Sequence, residues 1–173
     1  MNNPKYPIGQ FSYDTVSAEN ETGQWINDIT TLPRRLSDLV YPLSKAQLNT
    51  PYREGGWTVL QLIHHLADSH LNAYIRLKLA LTEDNPVIKT YDQEKWAELE
   101  DYSNKMDDSM QLIYGLHKRW GRLLHSLTSS QLERTFQHPE SGTWTVRKLI
   151  AHYAWHSNHH LAHIQTLKEQ KNW

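Results

Sequence analysis

Apolar residues recur along most of the chain at the spacing of one face of an α-helix. In the first third, Trp25, Ile29, Leu32, Leu36, Leu39 and Leu43 follow at intervals of three and four, a period that puts them on one stripe. Pro33 lies inside that stripe. An interior proline removes a backbone hydrogen bond at a cost of ~3 kcal/mol, so a kink or two abutting helices are expected there. A second helix should open at Thr58, because Thr58 and Gln61 have the form of a capping box and Gly55-Gly56 reads as a turn. Leu62, Ile63, Leu66, Tyr74 and Leu77 supply its apolar surface to about Leu81, and Pro86 closes it off. A third begins near Asp107, Asp108 and Ser109, residue types suited to a helix N-terminus. Met110, Ile113, Leu116, Trp120, Leu123 and Leu127 form its stripe. The fourth opens at Thr145 and runs to about Lys168.

The connections are polar. Residues 83–105 carry at most one short helix, around Gln93 to Leu99, and 129–144 read as a loop or a broken helix. Four long helices with almost no strand signal predict an all-α protein, a four-helix bundle. The long connections imply that sequence neighbours are not all antiparallel partners. Two helix starts are alike: Trp57-Thr58-Val59, Leu62-Ile63, His65 and Ala67 match Trp144-Thr145-Val146, Leu149-Ile150, His152 and Ala154. This is either a shared way of starting a helix or pseudo-symmetry, with helices two and four facing each other. Trp25, Trp120 and Trp155 read as core, and Trp57 and Trp144 as packing at helix starts.

Composition narrows the function. The chain has 173 residues, a length expected for one domain, 1–173, able to bury roughly 70% of its unfolded surface. It has no Cys, so disulfides and thiol nucleophiles drop out, and a reducing compartment fits. Met1 to Phe11 has no apolar run of a signal peptide, and no stretch approaches the ~20 apolar residues of a membrane span. A net charge of −1 does not suggest the basic face of a nucleic-acid binder.

Histidine stands out. Of the 11, three lie at His64, His65 and His70, and five at His152, His156, His159, His160 and His163. Residues i and i+4 share a helix face about 6 Å apart along the axis, so two imidazoles at that spacing can reach one metal ion. The five in the fourth helix fall within an arc of about 100°. Spacing therefore leaves 152/156, 156/160 and 159/163 all open, with a third ligand from His64, His65 or His70. A single helical His is ordinarily a surface or hydrogen-bonded core residue, but five on one face would bury unpaired imidazoles at a desolvation cost. Metal binding is the expectation, ahead of a proton-sensing or purely structural cluster. His-Glu-x-x-His, the Glu-x-x-His of di-iron bundles, the Gly-x-Ser-x-Gly elbow, the P-loop and Gly-x-Gly-x-x-Gly are all missing. A three-His site with open positions is what remains. It can activate water or bind a thiolate. Ser69, Asn72 and Arg76 continue a polar stripe from His65 that could line a pocket or be an ordinary solvated face, with Asp68 at its edge. Asp68 could orient a ligand His or sit in solvent, and Arg76 reads as part of a solvated face.

Several long segments are familiar. Thr50-Pro51-Tyr52-Arg53-Glu54-Gly55-Gly56-Trp57-Thr58-Val59, His64-His65-Leu66-Ala67-Asp68-Ser69-His70 and Trp155-His156-Ser157-Asn158-His159-His160-Leu161-Ala162-His163-Ile164 resemble the YfiT group of the DinB-like superfamily. Tyr6-Pro7-Ile8-Gly9 and the stretch from Tyr74-Ile75-Arg76 to Leu81-Thr82-Glu83 match as well. The resemblance implies an up-down-down-up four-helix bundle, cytoplasmic and homodimeric. It also implies one divalent metal ion per chain held by His65, His156 and His160, zinc in the first place and nickel in the second. His152, His159 and His163 then stand around the ligands, and Asn158 occupies a position where some relatives carry His. The activity implied is that of a metal-dependent hydrolase or of an S-transferase using a low-molecular-weight thiol of the bacillithiol kind, on a small-molecule substrate. Asp68, Asn72, Arg76 and Tyr52 are pocket candidates, and no separate general base is assignable. A non-catalytic metal- or small-ligand-binding module is the alternative. A closed four-ligand site would support it.

Overall fold

A computed structural model describes residues 4–13 and 18–173. Residues 1–3 of the stretch tested for a leader lie outside the described residues. Seven α-helices are present in it: α1 (Ala18–Val40), α2 (Lys45–Leu48), α3 (Val59–Thr82), α4 (Gln93–Trp96), α5 (Met106–His125), α6 (Ser129–Leu132) and α7 (Val146–Lys171). A 3-10 turn covers Glu100–Ser103, and an antiparallel hairpin joins β1 (Thr135–His138) to β2 (Gly142–Thr145).

The four long helices are the four expected from the pattern. Thr58 caps α3 through the capping box with Gln61, and Thr145 caps α7 by accepting from the Lys148 amide. α1 continues through Pro33 as one helix and stops at Val40, so it is not two abutting helices. Leu43, expected on that helix, lies beyond its end yet is buried. The third helix likewise stops at His125, short of Leu127.

The apolar core separates into two layers, and these fix the direction of each helix. One layer gathers Ile26 and Ile29 from the start of α1, Ala73 and Leu77 from the end of α3, Trp120 and Leu124 from the end of α5, and Val146 and Ile150 from the start of α7. The other gathers Leu36 and Val40, Leu62 and Leu66, Met110 and Ile113, and Leu161 and Ile164. Thus α1 and α7 run one way while α3 and α5 run the other: up, down, down, up. α1 packs against α5 and α7, and α3 packs against the same two. The parallel pair α3 and α5 requires a connection that returns the length of the bundle, which is what residues 83–105 do. Buried histidines occupy the middle of α3, α5 and α7, between the two apolar layers.

Residues 129–144, expected as a loop or a broken helix, begin with a short helix but continue as a hairpin. The hairpin's Phe136 fills the end of the first core layer. Gln137 exchanges backbone hydrogen bonds with Pro86 and Ile88, and Arg134 donates to the carbonyls of Ala80 and Glu83. Those carbonyls lie at the end of α3, where none has a partner within the helix. At α1, Asn158 joins two charged groups: it accepts from Arg35 and donates to Asp28. No helix among the described residues is long and apolar enough to cross a membrane.

Candidate metal centre

Because α3 and α7 are adjacent and antiparallel, their middles meet, and three imidazoles converge there. His65 Nε2 lies 3.2 Å from His156 Nε2, and His160 Nε2 lies 3.1 Å from the same atom. One nitrogen from each of the three lies within 4.8 Å of the others. All three residues are buried. In a tetrahedral site with metal–nitrogen bonds of ~2.0–2.1 Å, ligand nitrogens lie about 3.3 Å apart, so the donors stand close to the spacing a small divalent ion requires. The donor set itself argues the same way. Among the described residues no carboxylate joins the cluster, and the Nδ1 atoms of His65 and His160 are buried without partners. Burial lowers the His65 pKa to about 3, with the neighbouring His159 adding to the effect. Burial, followed by the surrounding imidazoles, pushes His156 and His160 well below the ordinary value. The rings are therefore neutral at pH 7, the form that ligates.

An open cleft of about 370 Å³ reaches all three, walled by Tyr52, Trp57 and Trp155. Trp57 lies against His65 with ring centres 4.6 Å apart and donates its Nε1–H to Glu94. Trp155, expected in the core, instead lines this cleft, stacks on His159 at 4.5 Å and 19°, and donates to the Gly9 carbonyl. Gly9 ends a turn from Tyr6 with φ +81, a backbone region that favours glycine. Trp120 is fully buried and Trp25 packs against the core, as their spacing predicts. A second cleft, about 400 Å³, also reaches His156, past Ser69, Arg76, Tyr153 and His152.

The remaining candidates separate. His64 faces away from the triad, with Nδ1 2.7 Å from Ser109 Oγ and Nε2 3.3 Å from the Asn104 carbonyl. His70 stands behind His156, its Nε2 3.1 Å from His156 Nδ1. His159 and His163 pair through their Nε2 atoms at 3.0 Å and, with His160, form a second grouping that could hold an ion. It shares His160 with the first. His152 packs edge-on to Phe11 and Trp144. It is the counterpart of His65 in the repeated segment, yet only His65 reaches the triad. The two segments thus share their capped starts rather than their site. Asp68 neither orients a ligand His nor sits free in solvent. It accepts a 2.8 Å hydrogen bond from Tyr102, and its half-burial raises its pKa against the opposing effect of that bond. Asn72 donates to its own helix at the Asp68 carbonyl. Arg76, open between a solvated face and a pocket wall, is half-buried, lines the second cleft and donates to the Lys89 carbonyl. His117 of α5, a lone helical His without a metal-binding spacing, is buried against His70. No local signal marks it.

With this bundle direction and this central histidine cluster, the chain belongs to the DinB superfamily, which residues 28–164 match. Among its relatives is a protein of Oceanobacillus iheyensis, 56% identical over 171 residues, 99% of each chain. Another, from Bacillus cereus, is 51% identical over the full length of both. Both carry the provisional name of metal-dependent hydrolase. The solved structure of YfiT from Bacillus subtilis superposes with a TM-score of 0.94 at 42% identity over 99% of each chain. That protein is described as a "probable metal-dependent hydrolase with an unusual four-helix bundle topology".

Proposed function

We propose that this chain is a metal-dependent hydrolase of small molecules in which Nε2 of His65, His156 and His160 hold one divalent ion, zinc first and nickel second. The observation that carries this reading is the convergence of three neutral, buried imidazoles on one open cleft, with Nε2 of His65 and of His160 each 3.1–3.2 Å from Nε2 of His156. Such an ion, when bound by neutral ligands only, supplies a net positive centre that lowers the pKa of a water toward ~7. The protein contributes the rest. His65 is packed under Trp57, and His156 is backed by His70. Tyr52, Trp57 and Trp155 wall the approach with aromatic surface that orients a substrate and limits solvent access. Arg53 lines the same cleft and offers a cation to an anionic substrate group.

A second reading is favoured by one specific feature. Two clefts, not one, reach His156, which leaves room for two substrates, as transfer to or from a low-molecular-weight thiol would require. The test is metal analysis of untagged protein, then assays of protein reconstituted with zinc or nickel on electrophilic substrates, with and without an added thiol such as bacillithiol. About one ion per chain and turnover without thiol supports hydrolysis. Thiol-dependent turnover supports transfer. Stoichiometric metal with neither activity supports a non-catalytic binding module, and failure to bind either ion refutes the site.

A further inference from the structure

Behind the triad runs a chain of imidazoles with one possible direction. Pro33 has no N–H to give to the Ile29 carbonyl one turn earlier, and that carbonyl instead lies 2.7 Å from Nδ1 of His117, on a different helix. A carbonyl only accepts, so His117 carries its proton on Nδ1. The rings here are buried, no carboxylate among the described residues acts on them, and they are neutral, with one N–H each. Nε2 of His117 is therefore a bare acceptor. It lies 3.0 Å from His70 Nδ1, which must be the donor. Nε2 of His70 is then bare in turn and lies 3.1 Å from His156 Nδ1, which donates to it. What remains on His156 is an unprotonated Nε2, the atom that faces His65 and His160.

We infer that His117 and His70 are positioning residues that hold His156 in its Nδ1–H tautomer, its Nε2 lone pair turned into the triad, through a hydrogen-bond chain started at the Ile29 carbonyl that Pro33 leaves free. The inference rests on the proposed metal site for its purpose, though not for its geometry. His156 is singled out by it. The Nδ1 atoms of His65 and His160 have no partner, so of the three rings only His156 has its tautomer set from behind. A residue that fixes a ligand's tautomer and orientation commonly governs metal affinity by 10–100-fold.

The experiment uses the full chain and Zn²⁺. Long-range 1H–15N correlation spectra of the metal-free protein should show His117, His70 and His156 all as Nδ1–H tautomers. An Nε2–H tautomer at any of the three overturns the chain. Zinc affinity is then measured by chelator competition on wild type, His70→Phe and His70→Gln. His70→Phe leaves His156 Nδ1 without an acceptor and should weaken zinc by 10–100-fold, whereas His70→Gln restores an acceptor oxygen and should recover most of that loss. If both variants bind zinc within threefold of wild type, His70 has no positioning role and the inference fails. Should His70→Phe not fold, His70→Leu, which also lacks an acceptor, takes its place under the same criterion, and the wild-type tautomers decide the direction of the chain. Wild-type protein that binds no zinc would refute the functional reading instead, and the tautomers of that same sample would decide the relay separately.

Discussion

Replacing the three triad histidines one at a time, beside His163→Ala, distinguishes the two groupings that α7 makes possible. At free metal 100 times Kd, binding to the folded state alone adds about 2.7 kcal/mol. For a chain of this size that is a rise in melting temperature of roughly 5–11 °C. His156 Nε2 lies 3.1–3.2 Å from both of its partners, so His156→Ala leaves two donors out of three. Loss of a ligand should cost at least the ~100-fold seen when groups behind a ligand are removed. The same metal concentration then yields at most about 0.4 kcal/mol, a shift of 1–2 °C. Among the described residues His163 is hydrogen-bonded to His159 alone, and its ring centre is 5.8 Å from that of His160. His163→Ala should weaken binding by no more than about threefold and keep about 2 kcal/mol of the stabilisation. Differential scanning fluorimetry with and without zinc or nickel, on chelator-stripped protein, reads both. If His163→Ala lost the shift while His156→Ala kept it, the ion would sit with His159, His160 and His163, and the assignment of His65 and His156 would be refuted.

Three further expectations follow from the packing. Burial lowers His117 to about 4 in the folded chain, below its value of ~6.5 when unfolded. Between those values the unfolded state holds the extra proton, so metal-free stability falls as pH falls from 6.5 to 4, by up to ~1.4 kcal/mol per pH unit from this group. Urea unfolding of wild type and His117→Phe at several pH values should differ by that slope, and parallel curves would refute it. Thr58→Ala removes the capping box at the start of the helix that carries His65 and should cost ~1 kcal/mol, read as a drop in urea midpoint at unchanged m. A Cβ on Gly121 would stand 2.8 Å from Thr30 Cγ2 between α5 and α1, so Gly121→Val should destabilise by ~1–3 kcal/mol. An unchanged melting temperature would show that the two helices separate without cost.

The long helices were legible because their signals are local. A stripe at three-and-four spacing, and a threonine three residues before a glutamine, act within one or two turns whatever packs on them. The hairpin was not legible. Of Thr135–His138 only Phe136 is buried, so no alternation shows, and residues 86–88 hold the strand from outside it. Spacing also could not choose among the five α7 histidines, since an arc of one helix points several of them toward the same side. The choice of His65, His156 and His160 came from likeness to a family, and the structure brings those three together. Trp155 and Arg76 were read by residue type, and their surroundings depend on partners far away in the chain. Trp155 meets Gly9, and Arg76 meets the Lys89 carbonyl.

By itself the sequence determined four amphipathic helices, their capped starts, and a supply of imidazoles on two of them, because helix period and cap chemistry depend on near neighbours. Only the tertiary structure decided which imidazoles from different helices come within reach of one another. The return of residues 83–105 along the bundle places α3 antiparallel to α7 and parallel to α5. That arrangement brings His65 to His156 and His117 to His70, and it lets a carbonyl freed by a proline in α1 set the protons of a chain that ends at the candidate metal site. Those contacts join residues 47 to 91 positions apart, a separation over which no pattern along the chain carries information.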